Sequence, residues 1–226
     1  MHVQIVLFDG FDPLDAIAPF EVLHAGGTAS GGAVSVELVS AEGPREVVSG
    51  TGGLSLRTTG TLDPHRPGVV LVPGASGRVG NPDEAPDAEG DAAQEDTIPV
   101  RLARALDTEL AGLLKAAMED ERITMATVCG GALVLAMAGL LQDRHATTHH
   151  MGMDLLDATG AHAVRARVVD DGDLVTAAGV TSGLDLGLYL LEREVGPQIA
   201  HAVEGLFAHE RRGTTWRPGG IEPTAF

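Results

Sequence analysis

The chain has 226 residues, 15 basic against 32 acidic side chains, a formal net charge of −17 at pH 7 and one cysteine. That length builds one large domain or two small ones around a sizeable core. The acidic excess speaks against nucleic acid and against an anionic membrane surface, both of which need clustered cations. A single cysteine forms no internal disulfide, and no Cys/His cluster has zinc spacing, so the expected protein is cytoplasmic and binds no metal.

Residues 1–10 lack the basic and long apolar regions of a signal peptide and read as an opening strand, with the apolar run Val3–Phe8 stopped by Asp9-Gly10. Pro13–His24 carries apolar residues at helical spacing, and Val34–Val39 alternates as a strand. Glu46–Val48 and Leu54–Leu56 are expected to be short strands around a glycine-rich turn, and Val69–Val72 a buried central strand ending at Pro73-Gly74. Asn81–Asp96 holds seven acidic residues, two prolines and no basic residue, which predicts a solvated surface insertion within one domain. Its functional alternative is an acidic lid or partner arm.

Ile98–Met118 reads as one long helix with Leu102, Leu106, Leu110, Leu113 and Leu114 on a single face. Ile123–Gln142 is uncharged for 20 residues, the length of a bilayer span. Gly130-Gly131 interrupts it directly after Cys129, however, so a buried strand, a sharp turn and a buried helix over Ala132–Leu141 share the segment. A helix at Met151–Ala158, a hairpin of Val164–Val169 with Leu174–Ala177, helices at Ser182–Arg193 and Pro197–Glu210, and a flexible Gly/Pro-rich tail from about residue 211 complete the reading. Strands alternating with helices predict an α/β sandwich with a mostly parallel sheet covered on both faces, in one domain.

Cys129 is the strongest chemical candidate, because it stands where a buried strand meets a turn that opens a helix. Such an elbow lifts a side chain to the carboxyl end of the sheet beside free amides, which favour a thiolate at neutral pH. The competing reading is an inert, packed thiol. Asp15 follows the first strand and would face the same crevice as an acid, or else only stabilise its helix, and Asp12 shares that ambiguity. Gly74 and Ala75 after the central strand offer amides at the same sheet end, or form only a turn. His149 and His150 suggest a base, although adjacent residues generally point apart and metal ligation lacks spaced partners. Thr181 belongs to a strand-to-helix turn with hydroxyl caps that has a purely structural alternative.

Taken together and in order, Leu14-Asp15, Ala18-Pro19, Glu21-Val22-Leu23, Val72-Pro73-Gly74, Thr127-Val128-Cys129, Ala138-Gly139-Leu140-Leu141, Ala146-Thr147-Thr148-His149, Gly179-Val180-Thr181 and Gly183-Leu184-Asp185 resemble the ThiJ/PfpI superfamily. Within it the pattern is most similar to the isonitrile hydratases. The resemblance implies a flavodoxin-type, glutamine-amidotransferase-like fold, a homodimer without cofactor, and a small-molecule substrate. Cys129 would be the nucleophile and Asp15 the general acid/base, with the amides after Cys129 and around Gly74-Ala75 binding developing charge. The implied reaction converts an isonitrile to an N-substituted formamide. Gly130 stands where a hydroxyl residue is expected, Ala75 and Ala18 where glycines are, and His150 where an aromatic residue is. Glyoxalase or deglycase chemistry using Cys129 with His149, or a redox or ligand-sensing module, are the alternatives. The tail after Glu210 is expected to be too short for the DNA-binding part of related regulators.

Overall fold

The computed structural model describes residues 1–79, 97–221 and 224, so the acidic insertion expected at Asn81–Asp96 lies outside the described residues. A seven-stranded sheet forms the centre. Its strands, in spatial order, are β10 (Val168–Asp170), β11 (Leu174–Ala177), β7 (Ile123–Val128), β6 (Gly68–Val72), β1 (His2–Val6), β2 (Ser35–Ser40) and β5 (Gly60–Thr61). All neighbours pair in parallel except β10 with β11. The inner strands are continuous apolar runs because helices cover both of their faces: Val3, Ile5, Val6, Val70, Leu71, Val72, Ala126 and Val128 are all fully buried. The hairpin β3 (Glu46–Val48) with β4 (Ser55–Arg57), and the pair β8 (His145–Ala146) with β9 (His162–Ala163), lie outside this sheet.

Helix α1 (Pro13–Ala29) packs against α6 (Ser182–Glu194) and α7 (Pro197–Phe207), while α2 (Ile98–Leu106), α3 (Leu110–Met118), α4 (Gly131–Met137) and α5 (Met153–Ala158) form a second group against β6 and β7. This is the expected α/β sandwich. Among the described residues no helix is long and apolar enough to cross a membrane; the uncharged stretch divides into β7, the turn at Cys129 and α4.

Four local readings need correction. The single helix over Ile98–Met118 is two, because the Thr108 hydroxyl donates to the Ala105 carbonyl at 2.7 Å and accepts from the Leu110 amide at 3.2 Å, a local bonding that competes with the helix between the two segments. The strand expected over Val164–Val169 is interrupted: the Ala166 amide turns back onto the Val164 carbonyl, and regular pairing resumes only at Val168. The helix after Cys129 stops at Met137, two residues before the left-handed Gly139. The tail after Glu210 is held down as far as Trp216, whose amide and carbonyl bond Val168 and Asp170 at the sheet edge and whose ring lies 5.0 Å from His145.

The parallel topology places the turns after β1, β6, β7 and β11 side by side at one sheet end. In open α/β sheets this is where ligands bind.

Candidate active site

Cys129 leaves β7 with φ +55°, a left-handed conformation that few non-glycine residues adopt. Three hydrogen bonds hold it there. Its amide donates to the Ala177 and Ala178 carbonyls at 3.0 and 2.9 Å, and its carbonyl accepts from Thr148 Oγ1 at 2.7 Å. Parallel pairing of β7 with β11 brings the two acceptors into place, and the turn after β8 brings the Thr148 donor. The side chain is buried.

Asp12 and Asp15 divide the two roles that the sequence left open for each. Asp12 is the N-cap of α1, accepting from the Leu14 amide at 2.9 Å, and Ser76 Oγ donates to it. Asp15 lies one turn further along, fully buried. Its Oδ2 accepts from the Gly74 amide at 3.0 Å, and its Oδ1 is buried without a hydrogen-bond partner among the described residues. Burial, and then the charge of Asp12, raise its pKa to about 8, against the opposing pull of the Gly74 amide and Cys129. Asp15 is thus a neutral acid at pH 7.

The expectation of a resting Cys129 thiolate is corrected. Burial, and then the neighbouring Asp15 carboxyl, push the thiol up, and the hydrogen bond from the Gly130 amide is too small to reverse this. Alkylation of Cys129 by iodoacetamide is therefore expected to be slow at pH 7 and to inflect above about 8.5, the value of a free cysteine. An inflection below that value would show that the elbow holds a thiolate after all.

The Gly74 amide is committed to Asp15 and is not free to bind substrate charge, which corrects the part the resemblance gave it. The Ala75 amide bonds no backbone or side-chain oxygen among the described residues, and the Gly130 amide is directed at the Cys129 sulfur. The two turns adjoin: a methyl group built on Gly130 would lie 3.8 Å from the Ala75 nitrogen. Beside Cys129 there is thus a pair of amides able to hold a developing anion.

His149 and Thr181 flank this centre on the β11 side. His149 Nδ1 accepts from the Met151 amide at 3.3 Å, which in the neutral ring assigns the proton to Nε2. Burial and then His150 lower its pKa, which favours the neutral ring. The rings of His149 and His150 do not point apart but tilt together with centroids 4.1 Å apart. Thr181 Oγ1 accepts from Arg167 Nη2 at 3.0 Å, and Arg167 in turn pairs with the buried Asp185 at 2.8 Å. The sequence reading missed Arg167, because its place beside Thr181 depends on the turn at Val164–Ala166. Among the described residues no group of three or more His, Cys, Asp or Glu could hold a metal ion.

A parallel α/β sandwich with a cysteine in a left-handed elbow beside a buried carboxylic acid defines a class of cysteine-elbow domains. The chain belongs to the DJ-1/PfpI family, whose model matches residues 99–193. It is 34% identical over 205 residues to the isonitrile hydratase of Pseudomonas putida, covering 90% of this chain and 76% of that one. It is 26% identical to the HTH-type transcriptional regulator CdhR of Pseudomonas aeruginosa, covering 89% of this chain and 53% of the regulator. Among solved structures, a ThiJ/PfpI family protein from Pseudomonas syringae superposes with a TM-score of 0.71 at 25% identity, covering 94% of this chain and 76% of that chain.

Proposed function

We propose that the protein is a cysteine-dependent hydratase of small electrophiles that converts isonitriles to N-substituted formamides. The observation that carries this reading is the uncharged pair formed by Asp15 and Cys129 beside the Ala75 and Gly130 amides. The similarity to the isonitrile hydratase supports it.

An isonitrile carries its reactive lone pair on the terminal carbon, so it needs a proton there before or as a nucleophile adds. Asp15 gives its proton to that carbon and takes the thiol proton of Cys129. The sulfur then bonds the same carbon to form a thioimidate, and the Ala75 and Gly130 amides stabilise charge as it develops. Water adds to the thioimidate carbon, one proton passes to nitrogen, and the carbon–sulfur bond breaks. The products are the formamide and the regenerated thiol.

Two observations weigh against the alternatives. A glyoxalase or deglycase reading asks His149 to accept a proton, whereas its Nδ1 is occupied by the Met151 amide. A primary redox sensor needs an exposed thiolate, whereas this thiol is buried and its pKa raised. Turnover of small isonitriles, methylglyoxal and amides by wild type and Cys129→Ser separates the readings. Cys129-dependent turnover of methylglyoxal but not of isonitriles would overturn the proposal.

Gly130 gives a finer test. Its φ is −67°, and a Cβ there would meet nothing closer than 3.5 Å. Gly130→Thr should therefore fold, and its hydroxyl would add a hydrogen bond at the reacting centre. Such a bond to a charged intermediate is worth about 1.5–3 kcal/mol, so isonitrile hydration should rise about ten- to a hundredfold. A well-folded Gly130→Thr protein inactive on isonitriles, from a wild type that turns over another electrophile, would refute the assignment.

A further inference from the structure

A cavity of about 390 Å³ opens at the carboxyl end of β11, between the turn after that strand and the segment after β8, on the opposite side of Cys129 from Asp15 in the sheet order. Two of its lining residues, Thr148 and Ala178, are hydrogen-bonded to the Cys129 backbone. Its volume suits a small ligand.

The polar groups lining it are donors in excess of acceptors. Ser182 is fully buried, and its Oγ has no hydrogen-bond partner among the described residues. Thr181 Oγ1 accepts from Arg167 Nη2, and nothing among the described residues accepts its own proton. Arg167 spends Nε and Nη2 on Asp185 and Thr181, and Nη1 makes no hydrogen bond among the described residues. Arg165 adds a second guanidinium, paired among the described residues only with the exposed Asp154 at 3.8 Å. Ser182 also begins the 13-residue helix α6, whose dipole favours negative charge at that end. Among the described residues no carboxylate lines the cavity. A buried hydroxyl left without a partner is costly, and here it lines the same cavity as two guanidinium groups in a chain of net charge −17. A hydroxyl can donate or accept, but guanidinium groups only donate, so the partner that completes this lining is an acceptor, and the cations select a negatively charged one.

We infer that this cavity is a carboxylate-binding subsite beside Cys129, so that the preferred substrate is an electrophile carrying a carboxylate on its substituent. The subsite itself stands on the geometry; its use in turnover rests on the hydratase reading.

The test uses the full-length protein and two isosteric probes, propionate and propionamide, as protectants of Cys129 against iodoacetamide at pH 9. Propionate should protect half-maximally at a concentration about tenfold or more below that of propionamide, as expected for a charge-assisted bond. Ser182→Ala removes a hydroxyl that bonds nothing, so the variant should melt at or above the wild-type temperature. It should also lose most of that preference. Arg165→Gln, on the surface, should reduce the preference without affecting folding. Equal protection by the two probes, or none by either, overturns the subsite.

The turnover arm compares isocyanoacetate with its methyl ester, and kcat/KM should favour the acid about tenfold, with the ratio falling in Ser182→Ala. If no isonitrile is hydrated while propionate still protects selectively, the hydratase reading fails and the subsite stands. If both isonitriles are hydrated alike and propionate shows no preference, the subsite fails and the hydratase reading stands.

Discussion

Asp15→Asn is expected to lower isonitrile turnover by about 10²–10⁴-fold, the range for loss of a positioned general acid, while making Cys129 easier to alkylate. The two effects have one origin. Asparagine keeps the shape of the side chain, and its Oδ1 can still accept the Gly74 amide that Asp15 accepts now. It has no proton to give to the isonitrile carbon. Because the Asp15 carboxyl is among the groups that push the Cys129 thiol up, its removal should also move the alkylation inflection to lower pH. A merely structural residue would not raise the reactivity of the thiol while abolishing turnover.

The same substitution changes the dependence of stability on pH. The folded pKa of Asp15, about 8, lies above its ordinary value of 3.8, so between those values the folded protein binds the proton that the unfolded chain has released. Stability then falls as pH rises through that window. Asp15→Asn removes this slope, so the variant should gain on wild type by a few kcal/mol, on the order expected for such a shift, as pH is raised from 4 to 8. Thermal melting across that range checks it. Parallel curves would show that Asp15 does not hold its proton in the folded state. Above about pH 8, wild-type turnover should decline as Asp15 loses the proton it must donate.

What the sequence revealed of this site, and what it did not, follows from the distance over which each feature is determined. The elbow at Cys129 and the crevice position of Asp15 were legible, because an apolar run followed by Gly-Gly or by a capped helix start is a local pattern, and the parallel topology then puts strand ends together. The N-cap role of Asp12 was open, since Asp12 and Asp15 are both acidic and only burial separates them. The commitment of the Gly74 amide to Asp15, across 59 residues of sequence, left no local trace. The break at Thr108 had a signal, a hydroxyl residue inside an apolar helical pattern, but the regular leucine spacing outweighed it. The state of the Cys129 thiol was misread because helix amides can be counted from sequence, whereas the burial that opposes them arises only in the folded chain.

Gly74→Ala should damage both fold and site. A Cβ at this position would lie 2.6 Å from the Gly130 nitrogen and 2.8 Å from Asp15 Oδ2. The first of these neighbours is backbone at the turn after Cys129, and the second is a buried carboxyl held by the Gly74 amide itself, so neither can move aside by a rotamer change. Overpacking of this kind costs about 3 kcal/mol. At about 2–4 °C per kcal/mol for a chain of this size, the melting temperature should fall by roughly 6–12 °C. Turnover should fall further than the folded fraction, because relieving the clash displaces both the proton donor and the Gly130 amide that faces the reacting centre. Gly130→Ala is the matched control, since its methyl group would find contacts of 3.5 Å and beyond at a helical φ. It should melt within a few degrees of wild type, as expected for a compatible glycine-to-alanine change. If Gly74→Ala instead melts and turns over like wild type, the close packing of the β6 turn against the cysteine elbow is not what holds Asp15 and Cys129 together.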